Sequence, residues 1–235
     1  MLRALRRFCA FAMSRTRIKF CGFTREADID AAVAAGADAI GLVFYPASKR
    51  CLTLERAAEL RRRVPAFVSV VALTVNEDEG RLREIAAAVR PDLLQFHGDE
   101  SPEACLRQGL PYLRAFRVGA PGLDTPDALL ESCLAHELAA GWLFDSHSTG
   151  YGGSGRSFDW SSLTAVARSE NARPLVLSGG LHVARVRQAL AEVRPYAVDV
   201  SSGVESEPGI KDAGKMRQFA EQVRRHDEDA ARETT

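Results

Sequence analysis

Six short stretches of this 235-residue chain bring residues able to move a proton or hold an anion to the end of an apolar run. Residues 18–21 end in the thiol of Cys21, and residues 142–145 end in the carboxyl of Asp145. Residues 93–96 lead into His97-Gly98, and residues 39–44 into Tyr45-Pro-Ala-Ser-Lys-Arg50. Residues 175–177 lead into Ser178-Gly179-Gly180-Leu181, while residues 197–200 contain Asp199 and lead into Ser201-Ser202-Gly203. A carboxylate closing an apolar strand is costly unless it has a partner or a task. A thiol followed by glycine and a helix start can be held as thiolate, with its pKa lowered. An acid and a base facing each other across a cleft are what proton transfer requires. Structural readings stand beside these: Cys21 as a small buried apolar group, and Asp145 as a cap for the loop that follows it.

The two glycine-containing turns suit a phosphate. Glycine lets the backbone come close to a ligand, and N–H groups opening a helix favour an anion. Either turn alone could be no more than a tight connection; two on adjacent strands favour a ligand. His97, His136, His147, His182 and His226 show no metal-ligand spacing, and no HxH, HExxH or CxxC occurs. The expectation is therefore no metal and no cofactor. Of the histidines, His97 is expected to face the site, and His182 to sit in the first turn of its helix.

Eight apolar runs must position these groups: residues 18–21, 39–44, 67–73, 93–96, 112–118, 142–145, 175–177 and 197–200. Most are continuous rather than alternating, as expected of parallel strands covered on both faces. The segments between them carry helix signals. Thr24 is expected to cap the first helix, Asn76 with Glu79 to form a capping box for the third, and Ser101-Pro102 to open the fourth. Asp159 is placed to cap a helix holding Leu163 and Val166, and residues 182–190 put Val183, Val186 and Leu190 on one face. Pro121, Gly122 and Pro126 leave the fifth connection room only for a short or irregular helix around residues 127–138. Strand–helix alternation repeated eight times predicts a single α/β domain, a (β/α)₈ TIM barrel with a parallel eight-stranded sheet. The first turn, CGFTRE, lacks the Gly-x-Gly-x-x-Gly pattern of a dinucleotide site. In such a barrel the C-terminal strand ends build the active site, and phosphate often binds after strands seven and eight beside a short extra helix. The segment after Gly203, with Pro208-Gly-Ile-Lys211, is expected to supply that helix.

The catalytic barrel is assigned to residues 17–225, with an extension over 1–16 and a polar tail over 226–235 whose helix frays. Residues 1–14 carry Arg3, Arg6 and Arg7 before a short apolar stretch. They read either as a loose extension before a true start at Met13 or, less well, as a targeting segment. Lys plus Arg and Asp plus Glu both number 31, so nothing electrostatic calls for nucleic acid or an anionic membrane. No apolar run approaches the ~18 residues of a membrane span. Five unpaired-looking cysteines point to a reducing, cytoplasmic compartment.

Taken in order, Lys19-Phe-Cys-Gly-Phe-Thr24, Gly41-Leu-Val-Phe-Tyr-Pro-Ala-Ser-Lys-Arg50, Gln95-Phe-His-Gly98, Leu143-Phe-Asp-Ser146 with Gly152-Gly-Ser-Gly155 and Phe158-Asp-Trp160, Leu177-Ser-Gly-Gly-Leu181 and Asp199-Val-Ser-Ser-Gly-Val-Glu205 resemble the phosphoribosylanthranilate isomerase family of tryptophan biosynthesis. The resemblance covers about residues 17–219. It implies a TIM barrel and an Amadori rearrangement of a phosphorylated small-molecule substrate. It further implies that Asp145 is the general acid opening the sugar ring and that Cys21 is the base removing the C2′ proton. By the same resemblance Arg50 holds the anthranilate carboxylate and Asp199 contacts the amine. Ser178, Gly179, Gly180, Ser201, Ser202 and Gly203 then form the phosphate site. Two positions depart from the family pattern: Lys49 where proline is common, and Phe96 where leucine is usual. Residues 147–157, rich in Gly and Ser, read as a lid. Other sugar-phosphate isomerases and a non-catalytic phosphometabolite-binding barrel are the rival readings. Barrels of this kind occur as monomers and dimers, so a homodimer is among the expectations.

Overall fold

The computed structural model describes residues 15–147 and 157–233. Segments 1–14 and 148–156 lie outside it, and with them most of the expected extension, the Gly152–Gly155 motif and most of the expected lid. In chain order the elements are β1 (Arg17–Cys21), α1 (Glu26–Ala35), β2 (Ala39–Val43), α2 (Leu54–Arg63), β3 (Ser69–Thr74), α3 (Glu79–Val89), β4 (Leu93–Phe96) and α4 (Pro102–Leu106). They continue with β5 (Tyr112–Val118), α5 (Pro126–Ala135), β6 (Gly141–Ser146), α6 (Thr164–Arg168), β7 (Leu175–Leu177), α7 (Val186–Val193) and β8 (Ala197–Val200). A hairpin of β9 (Glu205–Glu207) and β10 (Ile210–Lys211) precedes α8 (Ala213–Glu233). Strands β1 to β8 pair in sequence order and close into a barrel through β8 and β1, all parallel.

The period of two along each strand divides its side chains between two apolar layers. Phe20, Ile40, Leu42, Val70, Ala72, Leu94, Phe96, Trp142, Phe144 and Val198 point outward into the shell under the helices. Val71, Leu113, Ala115, Leu143, Val176 and Ala197 point inward and form a separate plug inside the barrel. On β6 and β8 the next inward positions toward the C-terminal rim are polar: Asp145 lies two residues after Leu143, and Asp199 two after Ala197. The polar mouth therefore rests on an apolar floor, and a slip of one residue in any strand would exchange the two.

Several local expectations need correction. Thr24 does not cap α1; Arg25 holds the cap position without a side-chain bond, and Thr24 Oγ1 donates to Gly209 O at 2.6 Å, tying the first loop to the hairpin. Asp78, not Asn76, caps α3, accepting from Arg81 N. Asn76 takes a left-handed φ of 52° and its side chain accepts from Asp99 N, joining the loops after β3 and β4. Ser101 and Asp159 cap as expected, although Asp159 opens a short 3-10 turn ahead of α6. His182 precedes α7, which starts only at Val186. The fifth helix is a regular ten-residue helix as long as α1; the short ones are α4 and α6, with five residues each. β3 starts at Ser69, because Phe67 is fully exposed with φ of 69°. Residues 208–211 form the second strand of a hairpin and its turn rather than a helix. Finally, α8 stays helical to Glu233, with Asp227 accepting from Thr16 N and Oγ1 and Asp229 pairing with Arg187. These contacts hold the helix against the rest of the barrel as far as Asp229.

Candidate active site

The C-terminal rim opens into one cavity. Its wall includes Cys21 at the end of β1, Arg50 after β2, His97 after β4, Asp145 near the end of β6, Ser178, Gly179 and Gly180 after β7, and Asp199, Ser201 and Ser202 on and after β8. Gly203 is not part of the wall. A Cβ there would meet Leu181 O at 1.9 Å, so its bare backbone lets the turn after β8 nest against the turn after β7. Gly179 instead lets the turn after β7 lie against the end of β6. It has φ of 83°, and a Cβ would stand 2.8 Å from Ser146 N and 3.1 Å from Asp145 Oδ1.

Asp145 is held on two sides. Oδ1 accepts from Ser146 N at 2.8 Å, and Oδ2 lies 3.5 Å from Nε2 of His97. The His97 ring is fixed in turn by the Gln95 amide, 3.1 Å from Nδ1. Both are buried, and Arg114 anchors their loop by donating to Gly98 O and Glu100. Sequence reasoning attached no role to Gln95 or Arg114, although Gln95 is an inward strand position two before His97.

Opposite them, Cys21 is packed against Gly41, where a Cβ would be 2.5 Å from Sγ. Burial pushes its thiol above the ordinary value; Lys19 and Lys211 oppose the shift and Asp199 adds to it. This corrects the expectation of a lowered pKa: burial of the thiol outweighs the two lysines. Lys19 is buried beneath the cavity and donates to Asp199 Oδ1 at 2.8 Å.

Arg50 is not free in the mouth. Its Nε and Nη2 donate to the two oxygens of Glu205, at 2.7 and 2.6 Å. Lys211 Nζ donates to the same carboxylate at 2.7 Å and to Ser201 O and Oγ. Burial favours protonating Glu205, but the two cations overcome it and hold the carboxyl below its usual range. Gly22, with φ of 86°, leaves room for the arginine, since a Cβ would meet Arg50 Cδ at 2.3 Å. Among the described residues no group of three or more His, Cys, Asp and Glu could hold a metal ion, and no helix is long and apolar enough to cross a membrane.

The family model for N-(5'-phosphoribosyl)anthranilate (PRA) isomerase matches residues 18–222. The chain belongs to the phosphoribosylanthranilate isomerase family. The isomerase of Bordetella avium is 58% identical over 215 residues, covering 92% of this chain and 98% of that one. That of Leptothrix cholodnii is 53% identical over 211 residues, 90% of this chain and 92% of that one. Among solved structures, the isomerase of Thermotoga maritima superposes with a TM-score of 0.80 at 37% identity, covering 89% of this chain and 98% of that one. Another, at 35% identity, with a TM-score of 0.77 and coverage of 89% and 98%, was solved in complex with reduced 1-(o-carboxyphenylamino)-1-deoxyribulose 5-phosphate. As a phosphoribosylanthranilate isomerase, the chain is an aldose–ketose isomerase that converts phosphoribosylanthranilate to 1-(2-carboxyphenylamino)-1-deoxyribulose 5-phosphate in tryptophan biosynthesis.

Proposed function

We propose that Asp145 is the general acid and Cys21 the general base of this isomerisation. The supporting observation is that the two groups line one cavity from strands on opposite sides of the barrel. Asp145 gives its proton to the furanose oxygen as the bond from that oxygen to C1′ breaks, and the nitrogen lone pair forms the Schiff base. The Cys21 thiolate then takes the proton from C2′; the released electron pair makes the enolamine and neutralises the nitrogen. Tautomerisation to the ketone follows, and exchange of one proton returns both groups to their starting states. Arg50 holds the anthranilate carboxylate, Asp199 contacts the amine, and His97 bounds the site beside Asp145. The backbone of Ser178, Gly179 and Gly180 and of Ser201 and Ser202 receives the phosphate, with Gly203 keeping the two turns together.

General acid–base groups typically contribute ~10²–10⁴-fold. Cys21→Ala and Asp145→Asn are each expected to lower kcat by at least about 10²-fold while circular dichroism and melting stay near wild type. Near-normal turnover in either variant rejects its assignment. Activity is expected to persist with EDTA, since every step runs through side chains. The cytoplasm is the compartment that fits a base that must remain a thiol, and fractionation of cells tests this. A homodimer is the assembly supported by the Thermotoga maritima relative described as dimeric, and sedimentation equilibrium decides it.

A further inference from the structure

We propose that Lys19 is a positioning residue for proton abstraction: anchored by Asp199, its ammonium stands beside the Cys21 sulfur and stabilises the thiolate. The proposal rests on Cys21 being the base, and it assigns a task to a buried cation that the reaction does not otherwise use.

Lys19 and Cys21 are two residues apart on β1, so both side chains enter the barrel interior, one above the other. Cys21 reaches the cavity; Lys19 lies one step below and is not part of its wall. It therefore acts through its neighbours rather than on the substrate. Its side chain is 5% exposed and that of Asp199 7%, and they meet at 2.8 Å across the seam where β8 pairs with β1. An ammonium so buried is costly without a partner. Burial disfavours its charge, yet Asp199 and the nearby Cys21 sulfur together hold it protonated. One carboxylate and one sulfur thus share one cation. The arrangement has two effects on the thiol: it offers a counter-charge to the thiolate, and it neutralises a carboxylate that would repel it. The other charged groups facing the sulfur are Lys211 on β10 and Arg50 after β2, and both are already engaged by Glu205. Of the three, Lys19 is the cation outside that cluster, held by Asp199 one step below the sulfur on the same strand.

The test follows alkylation of Cys21 by iodoacetamide against pH, read on the Cys21 peptide by mass spectrometry, because Cys51 is also an exposed free thiol. This readout needs no substrate, so it is independent of whether Cys21→Ala abolishes turnover. Lys19→Met is expected to move the Cys21 titration upward by at least about one pH unit, a roughly tenfold loss of thiolate at fixed pH. The ascending limb of kcat/KM should move with it. Lys19→Arg, which keeps the charge, should retain most of the wild-type profile. If Lys19→Met fails to fold around an unpaired Asp199, Lys19→Met/Asp199→Asn removes both charges; its Cys21 titration is still expected above wild type, because the lysine outweighs the aspartate. A titration unchanged from wild type, in either variant that folds, overturns the proposal. So does activity that falls equally at all pH values, which is what a purely structural lysine would produce.

Discussion

Arg50 shows how one side chain can serve two carboxylates. Glu205 already takes Nε and one Nη2 hydrogen in a bidentate pair, which fixes the guanidinium plane and leaves Nη1 directed elsewhere. A substrate carboxylate would then meet a donor whose orientation is set in advance. Charge-assisted bonds of this kind contribute ~1.5–3 kcal/mol, so Arg50→Ala should lower kcat/KM roughly tenfold or more. Arg50→Lys should fall nearly as far, because an ammonium cannot reproduce the fork. Glu205→Gln should raise KM more than it lowers kcat, since it loosens the donor without touching the reacting atoms. Steady-state kinetics on the three variants separate these outcomes. Cys21, Asp145 and Arg50 were legible because each interrupts or follows an apolar run. Lys19, Glu205 and Lys211 were not, because a lone charge beside a strand is ordinarily a solvated one. Only closure of the barrel, with the β9–β10 hairpin packed on its rim, shows that these three have little water to face.

At the scale of elements, the rim depends on turns that a Cβ would force apart. Gly203→Ala would drive the turn after β8 against Leu181 O. Overpacking of this sort typically costs ~1–3 kcal/mol, and here it also separates the two turns assigned to phosphate. The expected result is a raised KM and a lower Tm, with Cys21 alkylation unchanged. Most strand positions could be read from apolar runs, and β4, β5, β7 and β8 keep their expected bounds. Caps were harder to read, since Thr24 and Asn76 have the right chemistry but are drawn to partners in other loops, Gly209 O and Asp99 N. Such partners are far away in the chain, so local spacing cannot announce them. The fifth helix misled for a related reason. Pro126 sits at its first turn, where a missing N–H costs nothing, rather than breaking it.

The whole molecule carries a pH response of its own, away from the rim. His136 is buried against Tyr112 and Phe116 with Nδ1 unpartnered, and burial holds its pKa down at about 4. The unfolded chain takes up a proton near pH ~6.5, whereas the folded chain does so only near the lower value. The share of stability that rests on a neutral His136 is therefore complete above ~6.5, declines as pH falls from there, and is lost once the folded value is passed, a change on the order of 3 kcal/mol. Thermal melts of wild type at pH 7 and 4.5 should show this decline, and His136→Gln should remove much of it.

Barrel closure also has a consequence in time. Asp199 follows Lys19 by 180 residues, and ribosomes add ~5–20 residues per second. For roughly ten to forty seconds of synthesis the first strand is out of the ribosome with its last neighbour not yet made. Through that interval Lys19 lacks its carboxylate and one edge of β1 lacks a partner; Arg17 and the lysine itself are charges that discourage that edge from pairing with another nascent chain. The residues that equip the site for proton transfer thus also guard an incomplete barrel while it waits to close.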